Sequence, residues 1–228
     1  MAEQLAFDLP VRPAFGRSDF LVAPSNALAV RALDDWQSWP QGRVVLAGSA
    51  GSGKTHLARV WQAATGAGFV AARDLSADKL PQLPECGFLV LEDVDRIAGS
   101  RMAETALFHL LNLGDAAGAK LLLSAKAPPA RLRFRLADLQ SRLEGARLIS
   151  LAAPDDALLG AMLVKQFGDR QIEVSPELVA YLLTRIERST AAVGRVVVAL
   201  DRKSLAQKRK ITRALAREVL DNPGGFLA

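Results

Sequence analysis

The sequence predicts an α/β fold with a mostly parallel central sheet, followed by a small all-helical domain. Apolar runs at residues 44–47, 88–91 and 121–123 have the composition of strands buried on both faces, and segments of helical period separate them. Between the first run and the first helical segment lies Gly48-Ser49-Ala50-Gly51-Ser52-Gly53-Lys54-Thr55, a complete G-x-x-x-x-G-K-[ST] pattern in the strand-loop-helix setting it requires. After Pro154 no strand-like alternation returns.

Taken in order, Gln4-Leu5-Ala6-Phe7-Asp8-Leu9-Pro10 puts Leu5, Phe7 and Leu9 on one side of an extended segment, and Pro10 and Pro13 keep it from continuing as a helix. Such a tail can dock in a partner's groove or on a sheet edge; a terminal strand tucked against its own domain has the same pattern. Residues 18–26 read as a loop, and Ser25 or Asn26 can cap the amphipathic segment that runs to Trp36. Pro40-Gln41-Gly42 ends that connection, and Val44 starts the first core strand. Leu57, Val60 and Trp61 then recur at helical spacing, 69–72 predicts a second strand, and 73–87, with Pro81 and Pro84, a loop-rich crossover.

The strand at 88–93 ends in Glu92 and Asp93. A helix follows over 102–117 with Leu107, Leu110 and Leu111 on its apolar face, and His109 reads as a packed or surface histidine. The strand at 120–124 ends in Ser124, residues 131–142 are strongly basic, and 146–151 is the last strand. Helices are expected at 155–167, 176–188, 190–205 and 212–220, capped by Asp155 or Asp156, by Ser175 ahead of Pro176, and by Thr212. The chain thus divides into an extended peptide (1–17), an α/β domain (18–153) and a helical domain (154–228).

Composition bounds the function classes. The 228 residues are half hydrophobic, which suffices for one or two real cores. No apolar run is long enough to span a bilayer and the first residues lack a secretory layout, so a cytoplasmic protein is expected. The lone Cys86 has no thiol partner for an internal disulfide or zinc site and reads as a small hydrophobe before a strand. The net charge of +5 permits contact with nucleic acid or a nucleotide without requiring it, and 6% aromatic residues give little for stacking single strands.

The glycine-rich loop carries the chemistry. Glycines at 48, 51 and 53 allow torsions that turn successive N–H groups toward a polyphosphate at a helix N-terminus. Lys54 would reach the β/γ-phosphates, and the Thr55 hydroxyl would ligate Mg²⁺. Ligands gather at the carboxyl ends of parallel strands, so one of Glu92 and Asp93 can hold Mg²⁺ while its neighbour orients or deprotonates water. Ser124 can sense the γ-phosphate from the next strand end, or simply cap that strand.

Phosphate loop, acidic strand end, polar end on a later strand, a following arginine and a helical lid together resemble the AAA+ ATPases. Phe20-Leu21-Val22-Ala23-Pro24-Ser25-Asn26, Gly51-Ser52-Gly53-Lys54-Thr55-His56-Leu57 and Leu139-Gln140-Ser141-Arg142-Leu143 are similar to the DnaA initiator family over nearly the whole chain. That family carries a C-terminal helix-turn-helix domain with no counterpart after the lid helix here, and Gln4-Leu5-Ala6-Phe7-Asp8-Leu9 is similar to peptides that dock on the replicative sliding clamp. Residues 91–99 and 200–205 also resemble the Hda family of DnaA-related regulators.

This resemblance implies an adenine pocket lined by 22–26, with Val22 and Asn26; phosphates and Mg²⁺ held by Gly48, Gly51, Ser52, Gly53, Lys54, Thr55 and His56; Glu92 and Asp93 at the acidic end; and Ser124 as first sensor. It implies that Arg142 is an arginine finger presented to a neighbour's nucleotide, whereas the residue alone reads rather as one more solvated charge beside Arg131, Arg133 and Arg135. Two positions depart from the pattern. Glu92 stands where Asp is usual, and Ala191 falls at the second-sensor arginine, leaving Arg188 and Arg195, about one helical turn away, as substitutes.

Weak or absent intrinsic ATPase activity is therefore implied, with ADP or ATP as a bound conformational element. The implied partners are the DNA polymerase sliding clamp and the DnaA initiator, with no membrane and no strong direct DNA binding. The residues leave open a monomer or a homodimer. They also leave open a free-standing ATPase that remodels or loads a replication protein, and a DNA-binding module built on Arg202, Lys203, Lys208, Arg209 and Lys210.

Overall fold

Alternate residues of the buried runs point to opposite faces of one sheet, and helices cover both. The computed structural model describes residues 21–76 and 87–221. The expected docking peptide, with Gln4, Leu5, Phe7 and Leu9, lies outside the described residues, as do Cys86, Pro81 and Pro84. Five strands, β1 (Arg43–Ala47), β2 (Gly68–Ala71), β3 (Phe88–Glu92), β4 (Lys120–Ala125) and β5 (Arg147–Ser150), pair in parallel in the order β2-β3-β4-β1-β5. Val45, Leu89, Leu91, Leu121 and Leu123 face one core with α3 (Arg101–Ala116) and α4 (Ala137–Glu144). Val44, Leu46, Val90, Leu122 and Ile149 face the other, with α1 (Ala27–Asp34) and α2 (Lys54–Thr65). Burial on both faces explains why these strands read as continuous apolar runs.

α4 is absent from the sequence-based expectation. The basic stretch before and within it masks the only apolar signal, Leu139 and Leu143, one helical turn apart and both buried. A fully buried carboxylate fixes its entry. Glu104 of α3 accepts the backbone N–H groups of Gly99 (2.7 Å), Arg135 (2.8 Å) and Leu136 (2.8 Å), and Leu136 is the residue that opens α4. A buried charge satisfied by three backbone donors holds that loop far more firmly than a surface ion pair.

Beyond β5 come α5 (Asp156–Gly168), α6 (Pro176–Leu183), α7 (Thr190–Gln207) and α8 (Arg213–Leu220). They enclose a core of their own around Leu163, Phe167, Leu182, Val193, Val196 and Leu200. Asp155, Ser175, Ser189 and Thr212 each accept an N–H of the first turn they open. α6 stops at Leu183 rather than 188. The Thr184 hydroxyl bonds back to the Tyr181 carbonyl (2.8 Å), and Ser189 must be extended to cap α7. Nor does Asn26 cap α1 with its side chain: its Oδ1 accepts from Ala23 N–H (2.8 Å) and its Nδ2 donates to the Leu21 carbonyl (2.9 Å), closing the preceding turn instead. Among the described residues no helix is long and apolar enough to cross a membrane.

Candidate functional site

The parallel register brings the chemistry to one edge. Leu46 of β1 lies level with Ser124 of β4, and the glycine loop leaves β1 one residue later, while Glu92 ends β3 on the same side. Gly48 N–H donates to the Ala125 carbonyl (3.1 Å), which ties the start of the loop to β4. Gly51 and Gly53 have φ of +71° and +99°, the left-handed region that an L side chain resists. Gly53 is followed at once by the first turn of α2, so the free N–H groups of that turn open onto the loop.

Lys54 is buried, and its ammonium donates to the carbonyls of Gly48 (2.7 Å) and Ser49 (2.9 Å). Burial lowers its pKa from the ordinary lysine value, and the nearby carboxylates of Asp93, Asp95 and Glu92 oppose that fall. Asp95 thus joins Glu92 and Asp93 in the acidic group. Asp93 sits at φ +56°, donates its N–H to the Ser124 hydroxyl (2.9 Å) and pairs with Arg96 (3.0 Å). Asp95 accepts from Lys126 N–H (2.9 Å). Ser124 is fully buried, so in this arrangement it fixes the acidic turn. Ser52 is buried with its hydroxyl unpartnered, Thr55 is exposed and His56 half-buried.

These residues fit a polyphosphate with Mg²⁺. The loop has a cation, exposed amides and an orphaned buried hydroxyl. Among the described residues no group of three or more His, Cys, Asp or Glu gathers as a metal cluster. Mg²⁺ needs none, since it is held by one or two carboxylates together with phosphate oxygens and water. In the segment before α1, Val22 is exposed and Asn26 buried in its turn. Ser25 N–H donates to Asp155 (3.3 Å), the cap of α5, whose carboxyl is held below the usual range chiefly by the Leu158 amide.

The two arginines expected as second-sensor substitutes each pair with a lid carboxylate. Arg188 pairs with Asp156 (3.0 Å) and Arg195 with Glu187 (3.3 Å). What meets the loop is the N-terminus of α7. Thr190 donates its N–H (2.9 Å) and its hydroxyl (3.2 Å) to the Gly51 carbonyl, across 139 residues of chain. A side chain at 51 would place its Cβ 2.3 Å from the Ser189 Cβ. Gly51→Ala is therefore expected to lift α7 off the loop and lower stability by about 1–3 kcal/mol. Denaturant unfolding, with faster hydrogen exchange at the first amides of α7, measures this.

Arg142 does not join this edge. It lies on α4, its Nη1 donating to Asp115 (2.9 Å) and its guanidinium over the Phe108 ring (5.0 Å). Asp115 in turn pairs with Arg43, the first residue of β1, whereas the phosphate loop follows the last. A five-residue strand separates the two by roughly 13 Å.

The comparisons agree with this architecture. Residues 156–220 match the family model described as Hda, lid domain. The fold is similar to that of the AAA+ region of DnaA, and its helical end resembles the Hda lid domain. Domain III of the Thermotoga maritima replication initiation protein DnaA superposes with a TM-score of 0.79 at 19% identity, covering 94% of this chain and 98% of that one. AMPPCP-bound DnaA from Aquifex aeolicus gives 0.68 at 19% identity, over 81% of this chain and 64% of that one. An uncharacterized protein of Haemophilus influenzae is 29% identical over 183 residues, 76% of this chain and 79% of its own length.

Proposed function

We propose that this chain is a nucleotide-binding regulator that docks on the DNA sliding clamp and stimulates ATP hydrolysis by the initiator DnaA, giving negative regulation of replication initiation in the cytoplasm. The observation that carries this reading is the position of Arg142, at the opposite end of β1 from the chain's own phosphate loop, in a protein whose lid matches Hda. An arginine so placed serves a nucleotide on another subunit. There it would neutralise charge on the transferring phosphoryl group.

The chain's own loop holds ADP or ATP as a conformational element. Gly48, Gly51, Ser52, Gly53, Lys54 and His56 surround the phosphates; Thr55 and Glu92 hold Mg²⁺; Val22 and Asn26 border the base. Arg188 and Arg195 are the lid arginines that would stand in for the second sensor. The bound nucleotide supplies a polyanion at the point where loop, acidic strand end and lid converge. Asp93 and Ser124 keep that strand end in register.

Residues 1–17 supply the clamp contact through Gln4, Leu5, Phe7 and Leu9. Titration of purified clamp at fixed salt tests it: the intact chain binds, and the Gln4→Ala/Leu5→Ala variant does not. Equal binding by both would remove the docking peptide from the scheme. The alternative, a free-standing AAA+ ATPase that remodels or loads a replication protein, is favoured by the intact phosphate loop beside three carboxylates. Turnover abolished by Lys54→Ala would support it.

A further inference from the structure

β1 is buried along its whole length, yet it opens with an arginine. Arg43 is 2% exposed, and a buried guanidinium requires a countercharge. Asp115, the penultimate residue of α3, supplies it through Oδ1. The Arg43 Nε and Nη1 find no other partner among the described residues, so this carboxylate alone balances the buried charge. The second oxygen of Asp115 accepts from Arg142 Nη1 at 2.9 Å.

We infer that Asp115, anchored from below by Arg43, is the positioning residue for Arg142. This rests on the reading of Arg142 given above. An exposed arginine–aspartate pair alone holds little, because both side chains wander. Here the carboxylate is pinned by a strand residue that cannot move without opening the sheet. Arg142 is constrained from three directions: Asp115 on Nη1, the Phe108 ring against the guanidinium face, and an α4 whose entry Glu104 fixes. Its Nε and Nη2 keep no partner among the described residues and form the fork that meets an oxyanion.

The charge count favours the same conclusion. Two guanidiniums share one carboxylate, and Lys120 lines the same open groove of about 650 Å³, with Gly42 and Gly118 contributing no side chains to fill it. The groove keeps a net positive charge toward a partner's phosphate while the arginine is held still. Holding it in advance removes the cost of ordering a long flexible side chain when the partner arrives. Without Asp115, Arg43 and Arg142 face each other uncompensated, and the exposed one swings away.

The test is stimulated ATP hydrolysis by DnaA, using the full chain on clamp-loaded DNA and reading both the maximal rate and the half-saturating concentration. Asp115→Asn, which keeps the shape, and Asp115→Ala are each expected to lower the maximal rate by about ten- to a hundredfold with half-saturation within about twofold. Asp115→Glu recovers most of the rate. Full rate in Asp115→Asn overturns the inference while loss in Arg142→Ala leaves the functional reading standing. A raised rate in the Asp115 variants also overturns it, since the carboxylate would then restrain Arg142. A weakened half-saturation at unchanged rate makes Asp115 a contact residue and overturns it too. Full rate in Arg142→Ala removes the functional reading itself. Unfolding midpoints identify a variant that fails by misfolding, and Asp115→Asn then decides.

Discussion

Arg142→Ala is expected to abolish the stimulation of ATP hydrolysis on the initiator, a loss of about 10³–10⁵ in rate, while the chain still binds its own nucleotide and its partners. The magnitude follows from the chemistry. A phosphoryl group in transfer spreads negative charge over its outer oxygens, and a guanidinium fixed beside it in a site closed to water stabilises that charge without reorganising. Sparing of the chain's own nucleotide follows from geometry. Arg142 is tied to Asp115 and Arg43 at the start of β1, a full strand length from the loop that follows Ala47. Folding is also spared, because the side chain is partly exposed and α4 is held by Leu139, Leu143 and Glu104. Single-turnover hydrolysis on preloaded initiator, beside a nucleotide titration of the variant, measures both halves. Stimulation that survives the substitution would end the reading of this residue as an arginine finger.

Lys54→Ala is expected to weaken the chain's own nucleotide binding by about ten- to a hundredfold or more, corresponding to about 1.5–3 kcal/mol for one hydrogen-bonded charge. The ammonium now rests on the Gly48 and Ser49 carbonyls and offsets Glu92, Asp93 and Asp95. Without it, an incoming polyphosphate meets three carboxylates and no buried cation. Burial penalises the charged lysine, so its folded pKa lies below the ordinary 10.5. That penalty on the folded state is present in full at neutral pH and fades as the pH rises through the folded pKa toward 10.5. A bound phosphate supplies the missing countercharge and returns the pKa upward. Equilibrium titration with a fluorescent ADP or ATP analogue, read for both chains, checks the loss. An unchanged affinity would show that the loop amides alone hold the phosphates.

The sequence by itself determined what depends on neighbours a few residues apart. Strand runs such as 88–91 and 121–123 are apolar throughout because both faces of a parallel sheet are covered, and that composition is local. The phosphate loop is legible for the same reason: Gly51 and Gly53 are dictated by their own backbone torsions, and Lys54 contacts carbonyls only five and six residues back. So are the caps Asp155, Ser175 and Thr212, whose oxygens reach only three residues ahead. Where local signals compete, legibility fails. In α4, charge hides two leucines. At 26, an asparagine that suits a cap closes the turn before it.

Tertiary structure alone decided which distant residues meet. Arg43 and Asp115 are 72 residues apart, Thr190 and Gly51 139. No periodicity links them, because each contact is set by strand order and by how the lid folds back. The lid arginines make the same point: Arg188 and Arg195 lie near the helix end that meets the loop, and the fold pairs them with Asp156 and Glu187. Spacing fixes what a residue can do within its own turn or strand, and only the assembled sheet and docked lid fix what stands opposite it.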